Sequence, residues 1–266
     1  KKWFLKKSKK IKIIKADLKD RKTLNKSIKK ADLVYHFAAY AAEGLSPFIR
    51  KFNYENNLIA SSNLITCSIE SNVKRFIFAS SMSVYDDNYK IKVHEKLKTN
   101  PISFYGMSKE FSEKYIIKHA EKNINYTILR FFNVYGSQQK LGNLKQGMLR
   151  IYLTQIFKNK SLIVKGSGDR FRDFIHISDV LKYIKIIIDN KKFYNQIFNI
   201  GTGKKIKIKS IIKLIQKRLS FNFKIKYVES TKDDQFGIVA DSNKIEKFTK
   251  IKKYIKLSEG LDGMIK

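Results

Sequence analysis

The 266-residue chain has a single cysteine, Cys67. An internal disulfide is therefore impossible, and its place in the apolar pattern of a helix marks it as a small core residue rather than a nucleophile. Long apolar runs are missing as well. No stretch reaches the roughly 18 uncharged apolar residues of a membrane-spanning helix, and the opening Lys1-Lys2-Trp3-Phe4-Leu5-Lys6 lacks the apolar centre of a signal peptide. The expectation is a soluble, cytoplasmic protein. Metal chemistry has little to draw on, because His36, His94, His119 and His176 do not pair at ligand spacing. Acidic residues are scarce, 23 against 56 Lys and Arg, giving a formal net charge of +33. A field of that sign attracts polyanions. The lysines are spread over every segment, however, and arginine is rare, which is the pattern of a solvated surface under A/T-rich codon bias. A dedicated nucleic-acid face would cluster its charge. Nucleic acid is expected to bind only non-specifically, through charge.

What is present is material for a large core, 43% hydrophobic with 13% aromatic residues, enough for one globular unit or two tightly packed ones. Ile11–Leu18 reads as a short strand containing Asp17, and Lys19–Lys30 as a helix with Leu24 and Ile28 one turn apart. Asp32–Ala39 is an apolar strand that stops in small residues, which either let a bulky ligand approach the backbone or pack a helix closely. Phe52–Asn72 carries the helical stripe Leu58, Leu64, Ile65 and Ile69, and Val73–Ala79 is a buried strand delivering Ser80 and Ser81. Further on, a helix is predicted from Tyr105 to about Glu121, a strand from Asn125 to Asn133, a helix around Met148–Lys158 and a strand from Leu162 ending in a turn at Gly166-Ser167-Gly168. Ser178 reads as the N-cap of a helix through Ile188, and a further helix runs through Ile211–Leu219. This alternation is that of a doubly wound parallel sheet, whose ligands bind at the carboxyl ends of the strands.

Tyr105 and Lys109 lie four apart and so share one helix face. Removing the proton from a secondary alcohol as its hydride leaves needs a base with a pKa well below the ordinary ~10 of tyrosine, and a fixed ammonium beside the phenol provides that. Ser81 would add a hydroxyl. Alone, a Tyr-x-x-x-Lys is equally a helix start with a solvated lysine, in a chain with 14 Tyr. Order and spacing carry the argument further: Phe78-Ala79-Ser80-Ser81-Met82-Ser83-Val84-Tyr85, a polar loop ending Asn100-Pro101, then Phe104-Tyr105-Gly106-Met107-Ser108-Lys109-Glu110. Arg130-Phe131-Phe132-Asn133-Val134-Tyr135-Gly136 and the segment Phe171–Val180, which opens Phe171-Arg172-Asp173-Phe174, follow.

With these segments the chain resembles the extended short-chain dehydrogenase/reductases, specifically the nucleotide-sugar 4-epimerases that are UDP-glucose 4-epimerase-like. The resemblance covers nearly the whole chain. It implies an α/β fold: a Rossmann-like doubly wound parallel sheet, N-terminally truncated, in residues 1–136 with 174–200 returning to it, and a smaller mixed α/β substrate-binding part over most of 137–266. It also implies NAD as cofactor and a homodimer formed through the helices at 52–72 and 105–121. Catalysis falls to Ser81, Tyr105 and Lys109, the lysine also holding the nicotinamide ribose. Asp17 and Leu18 lie near the adenine, and Phe37, Ala38, Ala39, Asn56, Ser80 and Phe132 along the rest of the dinucleotide. Ser81, Ser83, Asn133, Arg172 and Lys232 hold the nucleotide sugar, Arg172 as a bidentate phosphate clamp. On spacing alone Asn56 is equally a helix-solvating residue, and Arg172 equally a surface partner of Asp173.

The chain departs from that pattern in places. No strand, Gly-x-x-Gly-x-x-Gly turn and helix precede Ile11, so the first βαβ unit is expected to be missing, with impaired cofactor binding and activity and an open sheet edge. Asp86, Phe104, Gly147, Lys165 and Thr231 replace residues common in the family, which leaves the sugar open. The expected reaction is C4 epimerisation through a transient 4-ketone. Its alternatives are 4,6-dehydration or uronate decarboxylation, which need acidic residues where Met82 and Ser83 stand. Beyond these stand an inactive fragment or a basic binding module.

Overall fold

Arg75-Phe76-Ile77-Phe78-Ala79-Ser80-Ser81 has no polar side to turn to water, so it must lie between other strands with both faces covered. In the computed structural model, which describes residues 10–265 apart from 90, 121–123, 138, 140, 141, 143, 232 and 233, it does. The elements are α1 (Arg21–Ile28), β1 (Leu33–His36), α2 (Arg50–Asn53), α3 (Ala60–Glu70), β2 (Arg75–Ser81), α4 (Phe104–Ala120), β3 (Asn125–Phe131), β4 (Asn133–Tyr135), α5 (Met148–Asn159), β5 (Ser161–Lys165), β6 (Phe171–Arg172), β7 (Phe174–His176), α6 (Ile177–Ile188), β8 (Gln196–Ile200), β9 (Ile206–Lys207), α7 (Ile208–Gln216), β10 (Lys224–Val228), α8 (Asn243–Thr249) and α9 (Leu257–Ile265).

A parallel sheet in the order β1-β2-β3-β8 is wound on both sides. Side chains alternate along each strand. Phe76, Phe78 and Ile128 pack with Leu24, Leu64, Ile65 and Ile116 of α1, α3 and α4, whereas Ile77, Leu129 and Phe198 pack with Val180, Tyr183, Ile187 and Ile245 of α6 and α8. The fold is the expected α/β one. A second core gathers α5, α7 and α9 with the parallel pair β5–β10, around Leu153, Leu162, Ile211 and Leu261. Between the two cores, β4 pairs with β7. Among the described residues no helix is long and apolar enough to cross a membrane.

Three local expectations are corrected. Ile11–Leu18 forms no strand: among the described residues no neighbour supplies ladder partners, and Ile11, Ile13 and Ile14 are exposed. The predicted Phe52–Asn72 helix is continuous but not uniformly α-helical, with a π-helical stretch at Tyr54–Ile59 between α2 and α3. The widened turn brings Asn53 and Asn57 inward, where Asn57 Nδ2 donates to Asn53 Oδ1 at 2.7 Å. The cap of α6 is His176, whose Nδ1 accepts from the Ser178 amide at 3.2 Å, so Ser178 lies inside the helix.

Candidate active site

At the carboxyl end of β2 the chain turns at once. Ser81 Oγ accepts the amide of Ser83 at 3.2 Å and so caps a tight turn at Met82–Val84. The start of α4 is pressed onto that turn. A Cβ at Gly106 would lie 2.1 Å from the Ser83 carbonyl oxygen, so only glycine permits the approach. Ser103 Oγ accepts from the Gly106 amide at 3.0 Å, and the Asn100 amide donates to Val84 O at 2.9 Å, fixing the loop between turn and helix. Asp86 belongs to this scaffold, accepting from Asn100 Nδ2 at 2.8 Å.

Tyr105 is thereby buried beside Ser81, whose hydroxyl works to lower the phenol's pKa. Ser81 Oγ lies 3.0 Å from Ser83 Oγ. One turn along α4, Lys109 is 2% exposed; its Nζ donates to Ala79 O at 2.8 Å and sits 4.7 Å from the Phe78 ring and 5.8 Å from the Tyr105 ring. Burial pushes its pKa down to about 7, opposed by the Glu113 carboxylate. The phenol of Tyr105 is pushed up, by burial and then by the charge of Glu43, against the pull of the Ser81 hydrogen bond. With protein groups alone, burial and Glu43 set the direction of the shift, opposite to the depressed phenol expected from the sequence.

Glu43 carries no motif signal, yet it belongs to this cluster. It opens a turn at Glu43–Phe48, accepts from Ser103 Oγ at 3.0 Å, contacts the Ser83 hydroxyl, and has its pKa raised by burial. Beneath Lys109, Glu113 is a further buried acid. Arg130 grips it through Nη2 at 2.7 Å, Ser80 donates to it, and Arg130 Nη1 reaches Tyr85 OH at 2.7 Å. Their i, i+4 spacing from Lys109 was the available sequence signal for Glu113.

The other expected residues divide. Asn133 Nδ2 donates to Asp173 O at 3.0 Å and approaches Met82 Sδ, and Phe132 is buried with Met82, Val84 and Tyr85, so both meet the turn after β2. Phe37, Ala38 and Ala39 leave the end of β1, where Phe37 is exposed and Ala39 half-buried. Ser80 points to Glu113 instead. Asn56 donates to Phe52 O within its own helix, while its neighbour Asn57 exchanges hydrogen bonds with the Tyr40 backbone. Asp17 is exposed and accepts the Lys19 amide; Leu18 O receives Asn63 Nδ2. Arg172 is buried and bonded not to Asp173 but to Asp234, at 2.8 Å, a carboxylate it shares with Arg170. Asp173 instead accepts from the amides of Thr202, Gly203 and Ala240. Lys232 lies outside the described residues.

Residues 3–201 match the family model described as the NAD dependent epimerase/dehydratase family. The chain belongs to that family. This epimerase/dehydratase chain is 29% identical over 96% of its length to a putative UDP-glucose 4-epimerase of Methanocaldococcus jannaschii, 83% of which it covers. The structure superposes on a UDP-glucose 4-epimerase of Thermotoga maritima, solved with UDP-glucose, with a TM-score of 0.87, 26% identity and coverage of 94% and 82% of the two chains. With a UDP-glucuronic acid 4-epimerase of Bacillus cereus, solved with UDP-glucuronic acid and NAD, the TM-score is 0.83 at 26% identity, covering 91% and 76%. The protein is an enzyme of a family whose cofactor is NAD.

The chemistry of the site fits that cofactor at its reactive end. Among the described residues no carboxylate lies within ion-pair distance of the buried Lys109 ammonium, leaving it free to donate to hydroxyls. His36, at the end of β1, carries a buried orphaned atom. Ser61 donates its own proton to Asn57 O, so His36 Nε2 must donate to Ser61 Oγ, at 2.7 Å, leaving Nδ1 a buried acceptor with no partner. Burial and the charge of Lys109 lower the His36 pKa to about 3, which keeps that lone pair bare.

Proposed function

We propose that the protein interconverts UDP-sugars that differ in configuration at C4, by transient oxidation of that carbon, with Tyr105 as the group that takes and returns the 4-hydroxyl proton. The observation that carries this reading is the convergence of Tyr105, Ser81, Ser83 and Lys109 on one turn at the carboxyl end of β2. NAD, when bound, accepts a hydride from C4 and gives it back. Every other task falls to the chain. Lys109 holds hydroxyls of the nicotinamide ribose and favours the phenolate; Phe37, Ala38, Ala39, Asn56 and Phe132 line the dinucleotide, and Asp17 and Leu18 its far end. Ser81 and Ser83 hold the sugar about Tyr105. Asn133 and Arg172 orient the diphosphate. Arg170 and Arg172 share one carboxylate, Asp234, and the surplus buried positive charge supports an anionic ligand there.

Relatives whose names include UDP-glucose, UDP-arabinose and UDP-glucuronic acid 4-epimerases support the reaction class. Elimination is disfavoured by Met82 and Ser83, which place no carboxyl directly after Ser81. Phe48, Phe52, Met107 and Phe111 are exposed on and beside α2 and α4, which supports a homodimer buried through that face. A cytosolic setting accords with the buried, unpaired Cys67. The test is proton NMR of UDP-glucose incubated with the protein and NAD: UDP-galactose must form and must fail to form with Tyr105→Phe. A wild-type protein yielding only a 4-keto-6-deoxy product would overturn the reading.

A further inference from the structure

Protein interiors are close-packed, so a hollow where two hydrophobic cores meet is a feature to be accounted for. One of about 350 Å³ opens between β7 and α7 on one side and residues 254–258, which lead into α9, on the other. Its volume lies within the ~300–1,000 Å³ of small-molecule pockets. Tyr105, Ser81, Lys109, Asn133 and Arg172 are absent from its lining, so it is separate from the site at the end of β2.

The lining names the chemistry of an occupant. Phe174, Ile206, Leu214 and Ile255 make the interior mostly apolar. Tyr254 adds only its ring, because its hydroxyl is held by Tyr183 OH at 2.7 Å and Glu246 Oε1 at 2.8 Å. The charged side chains of the lining are those of Lys204 and Lys256, both exposed to solvent, and no aspartate or glutamate shares it with them. An apolar body would be buried there while a single anionic group met the ammonium groups at the mouth.

Both walls are bonded to the strands that hold Asn133. Phe174 is the register partner of Asn133 in the β4–β7 pair. Thr202, also in the lining, donates from its amide and its hydroxyl to Asp173 Oδ1 at 2.9 and 2.7 Å, and Asp173 O accepts the Asn133 amide and Asn133 Nδ2, each at 3.0 Å. On the opposite wall the Ile255 amide donates to Asp179 Oδ2 at 2.8 Å, on α6, which follows β7 directly. A ligand spanning the walls therefore bears on the backbone that positions Asn133.

We propose that this cavity is an effector site for a small amphiphilic anion, an apolar body carrying one anionic group, whose binding changes the affinity of the active site for the nucleotide. The effector role, though not the binding itself, rests on the reading of the protein as an enzyme of UDP-sugars.

The probe that tests it is 8-anilinonaphthalene-1-sulfonate, with N-phenyl-1-naphthylamine as its uncharged counterpart, at about 0.15 M salt to screen the scattered surface lysines. Methyl NMR is expected to show NOEs from the rings of the sulfonate to the methyl groups of Ile206 and Ile255, and the uncharged dye is expected to bind there at least about tenfold more weakly. Leu214→Trp fills the cavity. The double variant Lys204→Glu with Lys256→Glu reverses the charge at its mouth from exposed positions, and so keeps the test open should Leu214→Trp fail to fold. Each is expected to remove these NOEs. Titration calorimetry of UDP is expected to give a Kd changed at least about fivefold by saturating probe in the wild-type protein, and unchanged by it in either variant. The site is overturned if the probe gives no NOE to either methyl group, or if the folded variants bind it as the wild type does. The effector role is overturned if UDP affinity ignores the probe, or if UDP displaces it outright. A protein that binds no UDP contradicts the proposed reaction itself, and the NOEs then still decide whether the cavity is a site.

Discussion

Replacing Lys109 by methionine should make the folded protein lose activity and gain stability, by an amount that depends on pH in a defined way. The lysine pKa falls from 10.5 in the unfolded chain to about 7 in the fold, because the ammonium is buried among Phe78 and Tyr105. At about 1.4 kcal/mol per unit, the charged side chain carries an upper bound of about 5 kcal/mol of penalty below pH 7, a large fraction of a domain's usual ~5–15 kcal/mol. Between pH 7 and 10.5 the unfolded chain holds the proton and the folded chain does not. Unfolding then takes up one proton, and the wild-type protein becomes more stable as pH rises, by about 1.4 kcal/mol per pH unit in the middle of the window. Lys109→Met removes this term alone, since Lys244 and the buried tyrosines titrate in both proteins and cancel in the difference. Urea denaturation of both proteins at half-unit steps from pH 7 to 10 measures it. The expected result is a Lys109→Met advantage that is largest near pH 7 and shrinks with that slope. Parallel stability curves would show that Lys109 keeps its ordinary pKa in the fold, and the account of its burial would fail.

Three other outcomes are expected. Gly106→Ala places a Cβ 2.1 Å from Ser83 O; it should cost about 1–3 kcal/mol in denaturation and lower kcat as Tyr105 moves off Ser81. Glu113→Gln breaks the buried pair with Arg130, costing about 3–5 kcal/mol, and removes the charge that raises the Lys109 pKa, so the pH at which Lys109 titrates should fall below about 7. Phe111→Glu puts a charge on the exposed apolar face of α4 and should convert a dimer to a monomer in sedimentation velocity while leaving the thermal unfolding of the protomer nearly unchanged; an unaltered sedimentation coefficient would refute an interface on that face.

The parallel sheet was legible because β2 carries an uninterrupted apolar run, Phe76–Ala79, and strands alternate with helices along the chain, and because α4 announces itself by a loop ending in Pro101. Tyr105, Ser81 and Ser83 could be placed together from order alone, since a strand end and the following helix start are neighbours in this architecture. What escaped depends on contacts distant in sequence. Glu43 joins the site only because the turn after β1 folds over toward Ser83 and Ser103, 40 and 60 residues away. Asn57 rather than Asn56 turns inward because a π-helical stretch rotates the helix, which a 3.6-residue period cannot foresee. Arg172 pairs with Asp234 rather than its neighbour because Asp173 is spoken for by three backbone amides. The failed strand at Ile11–Leu18 has the right side chains; a strand also needs a partner, and among the described residues none pairs with it.

The most direct test of the central claim is the fate of deuterium in UDP-[4-2H]glucose. Transient oxidation by a tightly held cofactor, with the hydride returned to the opposite face of the same carbon, predicts UDP-galactose that keeps its deuterium at C4. Deuterium found at C6 of a 4-keto-6-deoxy product, or lost to solvent during epimerisation, would contradict it.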